Sequence, residues 1–169
     1  MLELMSRRRS IRKFKNERVS EEAIKSLVDA ALLAPSGKNA KPCEFFVVQD
    51  KVKIEKLAAC KDGPTEALKT APLAIVVTAN PEKSDVWAVD AAIAASHILL
   101  EAEALGLGCC WIQIMNRRSG QLMADSQVKK LLNISTSLSV LCVMAIGIAD
   151  ECKEPHAIDS LSRSNVHFL

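Results

Sequence analysis

Apolar residues recur at helical spacing after Ser20: Ala23, Ile24, Leu27, Val28 and Ala31 fall on one face, behind Glu21 and Glu22. A serine cap and acids in a first turn suit the positive end of a helix, so this pattern predicts an amphipathic helix to about Leu33, closed by Pro35, Ser36 and Gly37. The period then changes. Glu44–Gln49 (EFFVVQ) predicts a short buried strand, and a modest helix near Lys51–Ala59 and a loop through Gly63 and Pro64 follow it. Pro72 opens a second strand, Leu73–Ala79. Val86–Leu105 is the longest helical stretch, nearly apolar from Ala88 to Leu100 except for Asp90, Ser96 and His97. A helix apolar almost all round must be covered on both sides, which places it at the centre of the fold, in a subunit interface, or both. Of its polar residues, His97 reads as a core histidine with a satisfied ring.

Gly106 is a natural helix stop, Gly108–Ile114 (GCCWIQI) predicts another buried strand, and Met115–Gly120 a turn or lid. A helix over Gln121–Leu132 and a strand over Leu138–Gly147 complete the regular structure. The tail from Ala149 is polar but ends in Val166, His167, Phe168 and Leu169, a sign that it is tied down. Strands alternating with helices ordinarily suggest a parallel, doubly wound sheet. No glycine-rich turn leads from a strand into a helix, however, so neither a Rossmann nor a P-loop phosphate site is supported. Any nucleotide is held in another way.

Composition narrows the field further. The length of 169 residues, 49% of them hydrophobic, suits one domain over 1–169. Lys plus Arg number 22 against 20 Asp plus Glu, which gives no general electrostatic case for a nucleic-acid or membrane partner. No apolar stretch reaches the roughly 18 residues of a membrane span, and the charged start lacks a signal-peptide core, so a cytoplasmic protein is expected. The six cysteines read as reduced, mostly buried thiols without the spacing of a zinc site, and no metal is expected. Tyrosine is absent, which leaves no stacking platform for single-stranded nucleic acid.

The densest basic cluster is Arg7, Arg8, Arg9, Ser10, Ile11, Arg12, Lys13, Phe14, Lys15. Taken alone it reads as a solvated arm. Guanidinium groups also bind phosphate in bidentate fashion, and an intervening hydroxyl adds a neutral donor, so Arg-Arg-Ser-x-Arg can serve a phosphate at one end and a polar ring edge at the other.

Five segments, in order, resemble the nitroreductase family. R-R-S-I-R-K-F (Arg8–Phe14) is similar to its N-terminal signature and A-P-S-G-K-N-A-K-P (Ala34–Pro42) to its A-P-S-x-x-N-x-Q-P segment. W-A-V-D-A-A-I-A-A (Trp87–Ala95) resembles its long interface helix, and L-G-L-G-C-C-W-I (Leu105–Ile112) its G-L-G-x-C-W-I strand. Ile146–Asp150, Pro155–Asp159 and Asn165–Phe168 are similar to the tail of its short members. The chain departs from the pattern at Lys41 (usually Gln), Cys43 (usually Trp), Gln113 (often small or acidic) and Asn165 (often Lys).

The resemblance implies an α+β fold, an α-β-α sandwich with a mainly antiparallel central sheet, in an intertwined homodimer whose termini clasp the partner. It implies FMN as cofactor at the subunit interface, NAD(P)H as donor and a small acceptor: a nitroaromatic, a quinone or a flavin. Carried over residue by residue, Arg8 and Ser10, with Arg9 between them, hold the phosphate and ribityl chain, and Arg12 faces the pyrimidine edge. Pro35, Ser36, Gly37 and Asn39 close over the cofactor from the other subunit. Trp111, Ile112, Gln113 and Ile114 pass the reactive side of the ring, where a backbone N–H donates to N5, and Arg163 is a further phosphate candidate. No side-chain nucleophile is implied, and one shared stacking face implies ping-pong kinetics. Rival readings are other FMN chemistry on the same fold, namely enone reduction, reductive dehalogenation or flavin fragmentation, a flavin-binding regulator without turnover, and a nucleic-acid arm.

Overall fold

Seven consecutive residues with no access to solvent, Leu73–Ala79, organise the molecule. The computed structural model describes residues 1–169. In chain order it has α1 (Leu2–Arg7), α2 (Glu21–Leu32), β1 (Cys43–Val48), α3 (Lys51–Ala58), α4 (Glu66–Thr70), β2 (Leu73–Ala79), α5 (Trp87–Ala104) and β3 (Gly108–Gln113). A small hairpin, β4 (Arg118–Ser119) and β5 (Leu122–Met123), then leads into α6 (Ala124–Leu132) and β6 (Ser139–Gly147). The four long strands pair in the order β1-β2-β6-β3, every neighbour antiparallel.

This order corrects the parallel sheet that alternation alone suggests. β2 and β3 both run antiparallel to β6, so they are parallel to each other and joined by α5 as a crossover, but the last strand of the chain is inserted between them. Local pattern records the crossover and is silent about the insertion.

Alternate residues of β2 feed two cores. Leu73, Ile75, Val77 and Ala79 face α2 and α5, while Ala74 and Val76 face the layer of α3, α4 and α6. The result is the expected α-β-α sandwich. On β6 the alternation slips: Val77 pairs with Cys142 and Thr78 with Val140, leaving Leu141 as an extra residue. At such a bulge the partner strands are re-aimed. The freed Leu141 carbonyl accepts both the Ile114 and Met115 N–H groups, each at 3.0 Å, and this ends β3.

The helix ends follow local chemistry. Ser20 Oγ accepts the Ala23 N–H and Asp50 Oδ1 the Lys53 N–H, so both predicted starts hold to within a residue. α5 buries Ala91, Ala94, Ala95, Ile98 and Ala102 against the sheet and α2, and the small side chains let the two helices approach closely. Its His97 ring lies 3.1 Å from the Ala30 carbonyl, so the ring has the partner expected of it, although the residue is half-buried rather than in the core. Its opposite face is partly bare in the protomer, with Val89 58% exposed.

Local pattern leaves out or misplaces several features. α1 and α4 are additional helices, the turn after β3 is a hairpin, and α6 starts at Ala124 rather than Gln121. The apolar tail end is not tied down within the protomer, since Phe168 is 94% exposed.

Candidate functional site

The basic segment is not a solvated arm. Ile11 and Phe14 are buried in the core and anchor it against the sheet. Ser10 forms a parallel bridge with Cys109 of β3, where the Ile11 N–H reaches the Cys109 carbonyl at 3.1 Å. On its other side the segment pairs with the chain beyond β6: Lys15 N–H to the Ile148 carbonyl and Asp150 N–H to the Lys13 carbonyl, both 2.9 Å. Main-chain groups of Ser10–Lys15 are thus used on both flanks, which holds the segment in place around its two buried side chains. The long cations lie free of that ladder. Arg9 donates to the Glu154 carbonyl and Arg12 to the Ser10 carbonyl at 3.4 Å, whereas neither Arg8 nor Arg12 has a carboxylate partner.

The direction of the Ile11 bond fixes which groups of β3 face outward. The Cys109 carbonyl points away from β6, and in an antiparallel ladder alternate residues share an orientation, so Trp111 and Gln113 also present N–H and C=O to the free edge. Cys110, Ile112 and Ile114 bond inward. Along that edge lies a cavity of about 420 Å³, lined by Arg12 and by Cys110 to Gln113, and walled by Lys61, Asp62, Pro64–Ala67 and Arg117. Trp111 Nε1 donates to Gln113 Oε1 at 2.9 Å, and Gln113 Nε2 donates to the Met115 carbonyl at 3.2 Å. This chain of side-chain bonds locks the Gln113 amide and leaves its backbone N–H to the cavity.

Two wall residues, Thr65 and Asp62, and a pair on the tail, Glu151 and Lys153, carry no signal in the sequence. Thr65 stands where a helix cap would, yet its hydroxyl caps nothing, and it is 7% exposed on the cavity side. Asp62 accepts the Gly120 N–H at 2.7 Å and pins the β4–β5 hairpin to the wall. Glu151 Oε1 accepts the Arg12 N–H at 2.5 Å, and Lys153, paired with it at 3.2 Å, donates to the Ser10 carbonyl. The Arg12 N–H holds the Glu151 carboxyl below the ordinary carboxylate range, and Lys153 acts in the same direction.

The second group of expected residues lies elsewhere in the protomer. Pro35, Ser36, Gly37 and Asn39 form a loop between α2 and β1 in which Lys38, Asn39 and Lys41 adopt left-handed φ values of 53°, 54° and 45°. Such a run costs about 1–2 kcal/mol per residue and needs anchors. Asp90, buried at 3% exposure, accepts the Gly37 N–H at 2.8 Å and the Ser84 hydroxyl at 2.7 Å, and Ser36 Oγ accepts the Lys41 N–H at 2.9 Å. Cys43 nearby has its thiol pushed up to about 11 by burial and by Asp90, so it is protonated and inert at neutral pH. The loop is tied to Asp90 near the start of α5, whereas the basic arm is tied through Arg7 to Glu103 at its end, 3.4 Å away. At a rise of about 1.5 Å per residue these anchors are roughly 20 Å apart.

The profile of the nitroreductase family matches residues 5–62 and 58–148. The chain belongs to the nitroreductase family. It is similar to an FMN-dependent nitroreductase from Clostridium difficile, at 45% identity and a TM-score of 0.97 over 99% of this chain and 98% of that one. A protein from Desulfovibrio desulfuricans whose structure was solved in complex with FMN is 28% identical, with a TM-score of 0.76 over 94% and 92% of the two chains. An Archaeoglobus fulgidus protein named for NADH dehydrogenase or NAD(P)H nitroreductase activity is 33% identical over 94% of this chain and 90% of its own.

Of the residues that the nitroreductase resemblance singles out, the fold brings Arg12, Trp111, Ile112 and Gln113 to one cavity, and Arg8, Arg9 and Ser10 lie on the arm leading to it. Ile114 is buried and points inward. Pro35–Asn39 stand apart at the other end of α5, and Arg163 lies in the exposed tail without a side-chain hydrogen bond or ion pair.

Proposed function

We propose that this nitroreductase-family protein is an FMN-dependent oxidoreductase that passes two electrons from NAD(P)H to a small acceptor, a nitroaromatic, a quinone or a flavin, as a homodimer. Residues 1–169 act as one FMN-binding unit. The observation that carries this reading is the free edge of β3, where outward main-chain N–H groups of Trp111 and Gln113 share a cavity with the Arg12 guanidinium, which has no carboxylate partner.

FMN fits these residues. Its phosphate needs cations and hydroxyl donors, which Arg8, Arg9 and Ser10 offer, with Arg163 as a tail partner. Its ring edge needs donors at fixed positions, which Arg12 and the Gln113 N–H offer. When bound, FMN supplies hydride acceptance at N5 and release of two electrons to the acceptor. The chain's own part is to seat the ring, donate from Gln113 N–H, and place the positive charge of Arg12 where negative charge develops.

One protomer supplies half of such a site. The separation of Pro35–Asn39 from the arm supports closure by the partner subunit, and the exposed face of α5 together with Leu32, Leu33 and Phe168 offers the apolar surface for it. Donor and acceptor then use the same face in turn, which gives ping-pong kinetics.

The test is the purified protein itself. A yellow dimer with the absorbance of oxidised flavin, and parallel double-reciprocal lines for NAD(P)H and a quinone, are expected. A colourless protein that refuses added FMN, or a folded monomer that keeps FMN at nanomolar concentration in sedimentation, would overturn the reading.

A further inference from the structure

We propose that Glu151 and Lys153, on the tail beyond β6, are positioning residues that aim Arg12 at the cofactor by holding the main chain of Ser10–Arg12. The inference rests on the FMN reading given above, because Arg12 must have a ring edge to face.

The main-chain pairing between tail and arm shows why side chains are needed. The ladder runs through Lys15 with Ile148 and Lys13 with Asp150 and then stops. One residue further along the arm, the Arg12 N–H has no main-chain acceptor and is met by Glu151 Oε1 at 2.5 Å. Two residues further, the Ser10 carbonyl is met by Lys153 Nζ. The carboxylate and the ammonium also pair with each other at 3.2 Å, with side chains 22% and 24% exposed, so each holds the other in place. Together they span the gap between that ladder and the contacts beyond it, where Arg9 donates to the Glu154 carbonyl and the His156 N–H to the Ser6 carbonyl at 2.8 Å.

The distribution of charge is as informative as the distances. Glu151 takes the main-chain N–H of Arg12 and leaves its guanidinium without a carboxylate. A direct ion pair would neutralise the charge that the reading needs. Lys153 and the Arg12 Nη1 converge on the same Ser10 carbonyl, which fixes the peptide between Ser10 and Arg12 from two sides. Across the arm, β3 contributes the Cys109 carbonyl to the Ile11 N–H at 3.1 Å. The three consecutive residues therefore have their orientation set before any ligand arrives, which is how a positioned charge gains its effect.

The experiment is a double-mutant cycle on the flavin-loaded dimer, read as midpoint potential and as rate of reduction by NADH. Glu151→Ala is expected to lower the potential in the same direction as Arg12→Met and to slow reduction about threefold to tenfold, in line with loss of one charge-assisted bond. In the Arg12→Met background the same substitution should produce less than half of its effect in the parent. Glu151→Gln should restore the parental potential, because the carboxamide oxygen still accepts the Arg12 N–H. Lys153→Met should act like Glu151→Ala. A general loss of stability would shift the melting temperature of every variant and would not show this coupling or this rescue. Additive shifts of Glu151→Ala and Arg12→Met, or a folded, flavinated Glu151→Ala protein with parental potential, overturn the positioning role and leave the FMN reading standing. Loss of FMN from Glu151→Ala at unchanged melting temperature, with retention in Glu151→Gln, supports it. Loss from both refutes it. If Arg12→Met alone leaves potential and reduction rate unchanged, Arg12 does not face the ring, and both the site reading and this inference fall.

Discussion

Replacing Gly108 by alanine tests whether the basic arm is seated by contact with β3. The added Cβ would stand 2.8 Å from Ile11 Cγ2 and 2.9 Å from Ile11 Cβ, side-chain atoms of which the Cβ cannot move without the main chain between Ser10 and Arg12. Carbon atoms prefer separations of about 3.5–4.0 Å, so the arm must retreat by roughly 0.7–1 Å. The same retreat stretches the Ile11 N–H to Cys109 carbonyl bond, now 3.1 Å. At about 4 Å it would lie beyond hydrogen-bond range. Overpacking costs about 1–3 kcal/mol and the lost bond about 0.5–1.5, so the loss should total roughly 1.5–4.5 kcal/mol. In a chain of this size that corresponds to a melting temperature lower by roughly 5–15 °C. The displacement also carries Ser10 and Arg12 away from their targets, and FMN affinity should fall about tenfold or more, since misplacement near 1 Å can cost a hundredfold in a positioned site. Gly106→Ala is the control. Its φ is +72° with nothing within 4 Å. Strain alone should therefore cost about 1 kcal/mol and leave FMN binding at its parental value. Calorimetry and fluorescence titration of the flavin-free proteins measure both quantities. A Gly108→Ala protein with parental affinity, or a Gly106→Ala protein that loses as much, would refute the reasoning.

Arg8→Ala should weaken FMN about tenfold to a hundredfold and riboflavin hardly at all, because a charge-assisted phosphate contact contributes about 1.5–3 kcal/mol. Equal losses in parallel titrations would mean that Arg8 does not reach the phosphate. Arg12→Met should keep FMN but lower the two-electron potential by roughly 30 mV or somewhat more, taking about 1.4 kcal/mol per 30 mV, with partial recovery in Arg12→Lys. Spectroelectrochemical titration reads this, and an unchanged potential would return Arg12 to the role of a surface cation. Asp90→Ala orphans the Gly37 N–H and the Ser84 hydroxyl and should destabilise by about 2–6 kcal/mol. Asp90→Asn keeps an acceptor and should cost about 1 kcal/mol, so equal losses in denaturant titrations would show that the loop is not anchored there.

Elements with a cap, a breaker or a long apolar run were legible: α2 from Ser20 and its apolar face, β2 from Pro72 and its apolar run, α5 from its alanine-rich length. α4 escaped because five residues show no period and because Thr65, at its cap position, does not use its hydroxyl as a cap. The β4–β5 hairpin has two-residue strands, too short for alternation to register. Sheet order depends on pairing between distant strands, for which the family resemblance supplied what local pattern lacked. The same division runs through the site. Arg8, Ser10 and Arg12 stood out as a motif, whereas Glu151 and Lys153 are ordinary charges in a polar tail until the fold lays them on the arm. Asp90 is an intermediate case. A single carboxylate in the apolar run Ala88–Leu100 signals that donors must meet it, without saying that they come from the Gly37 loop.

The opposed anchoring of arm and loop at the two ends of α5 has a genetic consequence. In the proposed dimer each site joins the arm of one protomer to the loop of its partner, so a heterodimer of an arm-defective and a loop-defective chain concentrates both lesions in one site. The other site is assembled from intact parts. Two variants that are each unable to retain flavin should therefore complement when unfolded and refolded together, and random assortment restores about a quarter of all sites. Two variants with lesions on the same side of that division have no intact site to assemble, so the pattern of complementing pairs maps the boundary between the halves without reference to any structure.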